Sequence, residues 1–414
     1  MLNQIFPRDI LPKIKKYLQT DDIIVLHGAR QVGKTSILRY LINELEQKHQ
    51  KTFYIDLENL QYLELLNSGP QNLIDHLQQQ GFNLTKTLFL MIDEIQYLAN
   101  PSNFLKIIHD HYPQIKLIVS GSSSFEIKSK FKDSLVGRTI NFEIYPLSFS
   151  EFLNFHKLKI DLKKTIDSLT TQDLKKFYTE YIFFGGYPKI ILTADYTVKA
   201  DYLQQIIDTY IRKDIKDFAN IKDILKFNKL LQVLADQSGK LLNVTELANT
   251  VGIVKKTIEH YLFILENTYI IKLVYPYAKN IRSELFKTPK IFFYDTGLMH
   301  ILKHKTIPKV ITGESFETSI FSELIKNFKK ENLNYWRTQD KKEIDFIINE
   351  NEPIPLEIKL NAVQIKMTAL NYFLKKYNLK KWFCVSMEIQ NKSKNFLFPW
   401  EIINNLSNRI IQKN

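Results

Sequence analysis

Gly28-Ala29-Arg30-Gln31-Val32-Gly33-Lys34-Thr35 follows an apolar run, Ile23 to His27, and precedes a helical pattern from Thr35 to about Lys48. The octet spells Gly-x-x-x-x-Gly-Lys-Thr, and strand–loop–helix is the setting in which that spacing forms a phosphate cradle, the P-loop. Glycines let the backbone turn so that successive N–H groups point inward at phosphate oxygens. The start of the helix adds a favourable dipole. Lys34 is expected to reach the β- and γ-phosphates, and the Thr35 hydroxyl to ligate Mg²⁺. ATP with Mg²⁺ is the expected ligand, with Gly28 through Thr35 and the adjoining Ser36 around it.

A second apolar run, Leu88 to Ile92, ends in Asp93-Glu94. Asp93 is placed to hold Mg²⁺ through water, and Glu94 to polarise the attacking water, so ATP hydrolysis is expected rather than binding alone. The plainer alternative for Glu94 is a place in the first turn of a helix. Ser120 ends a further apolar run, Ile115 to Val119, where a hydroxyl could sense the γ-phosphate or position the water; Ser and Gly also simply make turns. Arg138 is a candidate finger acting from a neighbouring subunit on transition-state charge, which would require a homo-oligomer. A surface ion pair is the alternative for Arg138.

Short apolar strands alternating with helices over residues 1–150, including 52–57 and 115–119, imply a parallel sheet with crossover helices. Residues 151–235 read as helical, broken at Phe184-Gly-Gly-Tyr-Pro188. Residues 236–300 contain a helix, short turn, helix and strand. From about 313 to the end of the 301–414 segment the pattern is helix, strand, strand, helix, strand, with polar residues 402–414 expected to fray.

Net charge sharpens this division. The chain carries +13, but residues 1–150 hold 16 Lys and Arg against 15 Asp and Glu, leaving a net +12 on residues 151–414. A basic distal part is compatible with DNA as a partner, and equally with a lysine-rich solvated surface. Cys384 is the single cysteine, which excludes a disulfide framework and fits a reducing compartment. With no signal-like start and no run of roughly 18 apolar residues, a cytoplasmic location without membrane contact is expected.

Asn243 to Glu266 reads as helix–turn–helix, with Thr245 as a candidate cap, Gly252 in the turn, and Val254, Ile258, Leu262 and Leu265 on one apolar face. Lys255, Lys256 and His260 fall elsewhere, where phosphates could be met, and the strand from Tyr269 to Tyr275 would be a wing. Packing within the chain is the competing use.

Further on, Lys342 to Ile348 and Leu356 to Leu360 alternate with period two, joined by a turn from Asn349 to Pro355. The alternation puts Asp345, Glu357 and Lys359 on one side of a hairpin. Two carboxylates and a lysine suit metal-dependent phosphodiester cleavage: the carboxylates bind Mg²⁺, and the lysine acts on the nucleophile or developing charge. The pattern resembles the PD-(D/E)xK nuclease superfamily, with Glu317 as a helix-borne acid and Glu343-Ile-Asp345 where Pro-Asp would stand. An inactive nuclease-like fold or exposed charges on amphipathic strands are the alternatives.

Met91-Ile-Asp-Glu-Ile-Gln96, Val119-Ser-Gly-Ser-Ser-Ser124, Gly137-Arg138, Pro146-Leu-Ser-Phe-Ser-Glu-Phe152, Phe184 to Pro188 and Phe293-Tyr-Asp-Thr-Gly-Leu298 accompany the P-loop. Together they resemble, over nearly the full chain, a prokaryotic AAA-type ATPase family with a C-terminal domain of unknown function. The resemblance implies an α/β chain with an AAA+ parallel-sheet core, a winged-helix middle region and a nuclease-like C-terminal fold. No second-sensor arginine of the usual AAA+ kind is visible. Two functions fit: a DNA-associated ATPase with a nuclease-derived C-terminal domain, or an ATP-gated regulatory protein whose distal domains are interaction modules.

Overall fold

The structure is a computed structural model that describes residues 5–121, 135–209, 221, 223–278, 288–390 and 393–410, without the side chains of 407–410. Ser122, Ser123 and Ser124 of the serine phrase lie outside the described residues. The chain divides into two compact units: residues 1–145 with Asn267–Tyr269, and residues 146–266 with 270–414.

The first unit is built on five parallel strands: β1 (Ile23–Gly28), β2 (Lys51–Asp56), β3 (Leu88–Asp93), β4 (Ile115–Gly121) and β5 (Thr139–Ile144). Their order is β2-β3-β4-β1-β5. Every residue of β1, β3 and β4 is buried, which explains their continuous apolar runs: helices cover both faces of a parallel sheet. Edge strand β5 was not anticipated. Its Thr-Ile-Asn-Phe-Glu-Ile pattern has only Phe142 and Ile144 buried, too weak a signal beside the central runs. Ile55, Leu90, Ile92, Leu117 and Val119 pack with Leu73, Leu77, Leu105 and Ile108 into the core that fixes the strand ends.

The second unit begins with helices Phe149–Phe155, Ser168–Phe184, Pro188–Ile191, Tyr196–Ile206 and Ile224–Asp236. Ser148 and Glu151 form a reciprocal capping box at the first of these. Helices Val244–Val251 and Lys255–Asn267 follow, then an antiparallel pair, β6 (Ile271–Val274) and β7 (Lys290–Phe293). The cap of helix 244–251 is Asn243, whose carboxamide accepts from the N–H groups of Thr245 and Glu246; Thr245 lies two residues too late for that role.

The last sheet has the order β12-β11-β10-β9-β8, from β8 (Leu333–Arg337), β9 (Glu343–Asn349), β10 (Pro353–Asn361), β11 (Phe383–Glu388) and β12 (Phe396–Leu397). β8, β9 and β10 are antiparallel neighbours, while β10, β11 and β12 run parallel. β8 and β12 add to the expected pattern. Within the end expected to fray, Ile402–Ile410 is instead a helix, anchored by fully buried Ile402 and Leu406 one turn apart, and residues 411–414 lie outside the described residues.

Two of the family phrases meet inside this unit. Asp295 accepts from Gly186 N at 2.7 Å and caps its own helix, Thr296–His304, through Leu298 N at 3.0 Å. Phe184–Pro188 and Phe293–Leu298 therefore form a buried structural lock. No helix among the described residues is long and apolar enough to cross a membrane.

Candidate nucleotide site and distal charge cluster

β1 delivers the P-loop between β4 and β5. Gly28 pairs with Ile144, and a Cβ at Gly28 would stand 2.0 Å from the Ile144 carbonyl oxygen, so only glycine fits. Gln31 and Gly33 adopt left-handed conformations, φ 61° and 95°, which curl the loop over the start of helix Lys34–Gln47. Gly33 holds the cap position and brings no side chain to cover the first-turn N–H groups, which suits them to an anion. Ala29 and Val32 are buried, and Arg8 holds the back of the loop, donating to Val32 O at 2.7 Å and Tyr145 O at 2.8 Å. Lys34, 5% exposed, turns its ammonium to the carbonyls of Gly28 and Ala29, 3.2 and 2.9 Å away.

Asp93 gathers the other half of the site. Thr35 Oγ1 and the Tyr54 hydroxyl donate to its Oδ2 at 2.6 and 3.0 Å, and Ser120 Oγ donates to Oδ1. Strand order explains the meeting: β4 separates β1 from β3, so its last residues lie between loop and carboxylate. Glu94 leaves the strand in a left-handed conformation, φ 55° and ψ 47°, unusual for a non-glycine residue, and is held by Gln96 Nε2. Burial and the charge of Asp93 hold the Tyr54 phenol well above its ordinary range. Arg138 sits on Asp110, with Nε and Nη2 donating at 2.9 and 3.1 Å, the ion-pair arrangement of its two alternatives.

In the second unit the hairpin alternation holds. Lys359 Nζ lies 2.9 Å from both Asp345 Oδ2 and Glu357 Oε2, and Ile358 N donates to Asp345 at 2.8 Å. Glu357 is only 5% exposed, so the charged face is packed rather than bathed in solvent. Glu317, on helix Gly313–Asn327, receives Lys290 Nζ at 3.1 Å; the same ammonium lies 2.8 Å from Glu343. Burial, and then the charge of Asp345, raise the Glu357 carboxyl above the usual range against the opposing pull of Lys359. Glu317 is raised likewise by burial, with Lys290 opposing and Asp345 adding to it. Among the described residues no three His, Cys, Asp or Glu side chains are grouped to hold a metal ion. Glu317, Asp345 and Glu357 are interleaved with Lys290 and Lys359 instead.

Residues 20–153 match the family model of an AAA domain. The N-terminal region carries an AAA domain. Residues 175–308 and 312–403 match two domains of unknown function, DUF8612 and DUF4143. An uncharacterized protein of Haemophilus influenzae is 27% identical over 353 residues, covering 83% of this chain and 84% of its own length. Uncharacterized protein MJ1544 of Methanocaldococcus jannaschii is 28% identical over 339 residues, covering 80% and 73%. Among solved structures, AMPPCP-bound DnaA from Aquifex aeolicus aligns with a TM-score of 0.28 at 16% identity, over 62% of this chain and 86% of that one.

Several residues of these sites escaped the sequence. In the AAA domain, Asp56 pairs with Asp93 across β2 and β3, and Ile55-Asp56 repeats the strand-end signature of Ile92-Asp93. Glu58 follows; burial and the charges of Asp56 and Glu94 raise its carboxyl. In the second unit, Lys290 opens β7, where a lysine at a strand end carries no sequence signal of its burial.

Proposed function

We propose that the AAA domain hydrolyses ATP and that the second unit engages DNA, carrying a carboxylate–lysine site of the phosphodiester-cleaving type. The observation that carries the ATPase reading is the Thr35–Asp93 hydrogen bond, which joins the loop and the acid strand at one point. The donor set fits a nucleotide with Mg²⁺: first-turn N–H groups for phosphate, and the Thr35 hydroxyl and Asp93 carboxylate for the ion. When bound, Mg²⁺ would neutralise charge on the β- and γ-phosphates. Lys34 exchanges backbone carbonyls for phosphate oxygens. Glu94 holds and polarises the attacking water once released from Gln96, and Ser120 orients the Asp93 carboxylate.

DNA association rests on the basic distal charge and on the order helix, helix, strand pair, with Lys255 and Lys256 exposed at the start of helix Lys255–Asn267. We read this segment as a winged helix and the β8–β12 sheet with helix Gly313–Asn327 as a nuclease-like fold. Asp345 and Glu357 would ligate the ion, with Glu317 behind them, and Lys359 would act on the nucleophile. A second reading is favoured by the pairing of Glu317 with Lys290: an ATP-gated interaction protein that has kept the fold and lost the cleavage. Glu94→Gln in the full chain tests the first step. It is expected to retain ATP affinity and lose turnover; wild-type turnover in that variant overturns the assignment. Incubation of the wild-type chain with Mg²⁺ and linear, circular or single-stranded DNA separates the two distal readings.

A further inference from the structure

In the second unit a cleft of about 860 Å³ opens between β8 and helix Met367–Tyr377, lined by Tyr277, Trp336, Arg337, Tyr372, Lys376 and Tyr377. Its walls are rings. Trp336 and Tyr372 lie 5.9 Å apart at 32°, and Tyr277 meets Tyr377 at 5.3 Å and 72°. Tyr277 is fixed to the sheet, because its N–H donates to Tyr335 O at 2.6 Å. Tyr372 keeps 45% of its surface exposed while Trp336 behind it is 3% exposed, so Tyr372 offers the open ring of the pair.

Positive charge is laid over those rings. Lys376 Nζ is 5.9 Å from the Trp336 ring, 6.0 Å from Tyr372 and 5.6 Å from Tyr377, and Lys342 Nζ is 5.1 Å from Tyr372. The carboxylate in the lining, Asp340, is neutralised by Lys342. From Lys359 to Met387 the chain has six lysines and no carboxylate. The cleft also joins the distal charge cluster through ion pairs: Arg337 holds Glu343 at 2.7 Å, Glu343 meets Lys290 at 2.8 Å, and Lys290 meets Glu317.

We propose that this cleft seats unpaired bases of single-stranded DNA, an inference that rests on the DNA-associated reading and names its substrate form. Aromatic faces with adjacent cations accept any base by stacking, while lysines take the phosphates. Duplex bases present no free face to Tyr372, so a duplex could use only the lysines. The flexible stem of Lys376 lets its ammonium leave the rings for a phosphate as a base arrives. The path along Arg337 and Glu343 would lead a strand from the base seat toward Asp345, Glu357 and Lys359.

The test is fluorescence anisotropy of the full chain with labelled oligothymidylate and with a duplex of equal length, in EDTA and without ATP. Tyr372→Ala is expected to weaken single-strand binding on the order of tenfold and to leave duplex binding unchanged. Tyr372→Phe should retain binding, and Lys376→Ala should lower the salt slope by about one. Because Tyr372 is half-exposed, its replacement spares the core, and circular dichroism verifies the fold. If both DNA forms bind and Tyr372→Ala affects neither, the base seat is overturned and DNA association stands. Failure of both forms to bind overturns the DNA-associated reading together with the seat, whereas duplex binding without single-strand binding overturns the seat alone. Full competition by thymidine monophosphate would make the cleft a mononucleotide site and also overturn the proposal.

Discussion

Thr35 Oγ1 donates a 2.6 Å hydrogen bond to Asp93 Oδ2, across 58 residues of sequence, from the helix that follows β1 to the end of β3, two strands that are not neighbours in the sheet. Tyr54 shares that oxygen and Ser120 takes the other, so one carboxylate satisfies three hydroxyl donors. Asp93→Asn replaces one acceptor oxygen with a donor and leaves at least one of those hydroxyls unmatched, costing about 1–3 kcal/mol of stability. It also removes the negative charge beside Thr35. Calorimetric titration should show ATP binding that no longer strengthens when Mg²⁺ is added. Unchanged sensitivity to Mg²⁺ would remove Asp93 from the metal's surroundings.

Glu323 and Lys326 fasten the segment Leu147-Ser148-Phe149 and make a stability prediction for the second unit. Glu323 accepts from Tyr181 at 2.6 Å and from Phe149 N at 3.2 Å, and pairs with Lys326 at 3.2 Å; Lys326 and Glu323 side chains are each 7% exposed. Glu323→Ala strands a buried ammonium, a loss of about 3–5 kcal/mol. Glu323→Gln keeps an acceptor for Tyr181 and should cost less. Urea unfolding of both variants checks the order; equal losses would mean that the charge, which both variants remove, carries the whole effect and the retained acceptor none.

Much of this was legible because the relevant contacts are local or periodic. Ile23–His27 and Leu88–Asp93 are continuous apolar runs because both sheet faces are covered, and period-two alternation alone placed Asp345, Glu357 and Lys359 together. What was missed depends on distant partners. Lys290, buried at the start of β7, is paired by Glu317 and Glu343, which arrive from other elements. The Gly186–Asp295 bond spans 109 residues, so neither phrase reveals its purpose alone. Thr245 and Asn243 are both good capping residues, and only the backbone geometry chooses Asn243.

The distal cluster has its own test. Lys359 stands between Asp345 and Glu357, where a divalent ion would have to share or displace its ammonium. Lys359→Ala should therefore keep Mn²⁺ binding while abolishing any DNA cleavage. Glu357→Ala should lose both, because it removes a direct ligand. Glu317→Ala should act more weakly, since Lys290 and not the hairpin holds that carboxylate. Mn²⁺ titration of the full chain followed by paramagnetic resonance reads binding apart from cleavage. Bound Mn²⁺ that is indifferent to Glu357→Ala would place the ion elsewhere.

His300 gives the second unit an acid-sensitive component. Its ring is buried, with Nδ1 3.1 Å from Phe183 O and Nε2 2.8 Å from Ser315 Oγ, and burial pushes its pKa down from 6.5 to about 4. Between those values the unfolded chain takes a proton that the folded chain refuses. Stability from His300 is thus complete above about pH 6.5 and is lost as the pH falls toward 4, by about 3 kcal/mol in all. The buried Asp295 carboxyl is raised by its own burial and works the other way, favouring the folded state at acid pH and losing that contribution as the pH rises. The wild-type profile mixes the two signs, so the comparison must be between variants. His300→Gln can keep a donor for Phe183 or an acceptor for Ser315 but cannot titrate. Urea midpoints measured from pH 7 to 4 should fall less steeply for His300→Gln than for the wild type. Parallel profiles would mean that His300 is already able to ionise inside the fold, contrary to its burial.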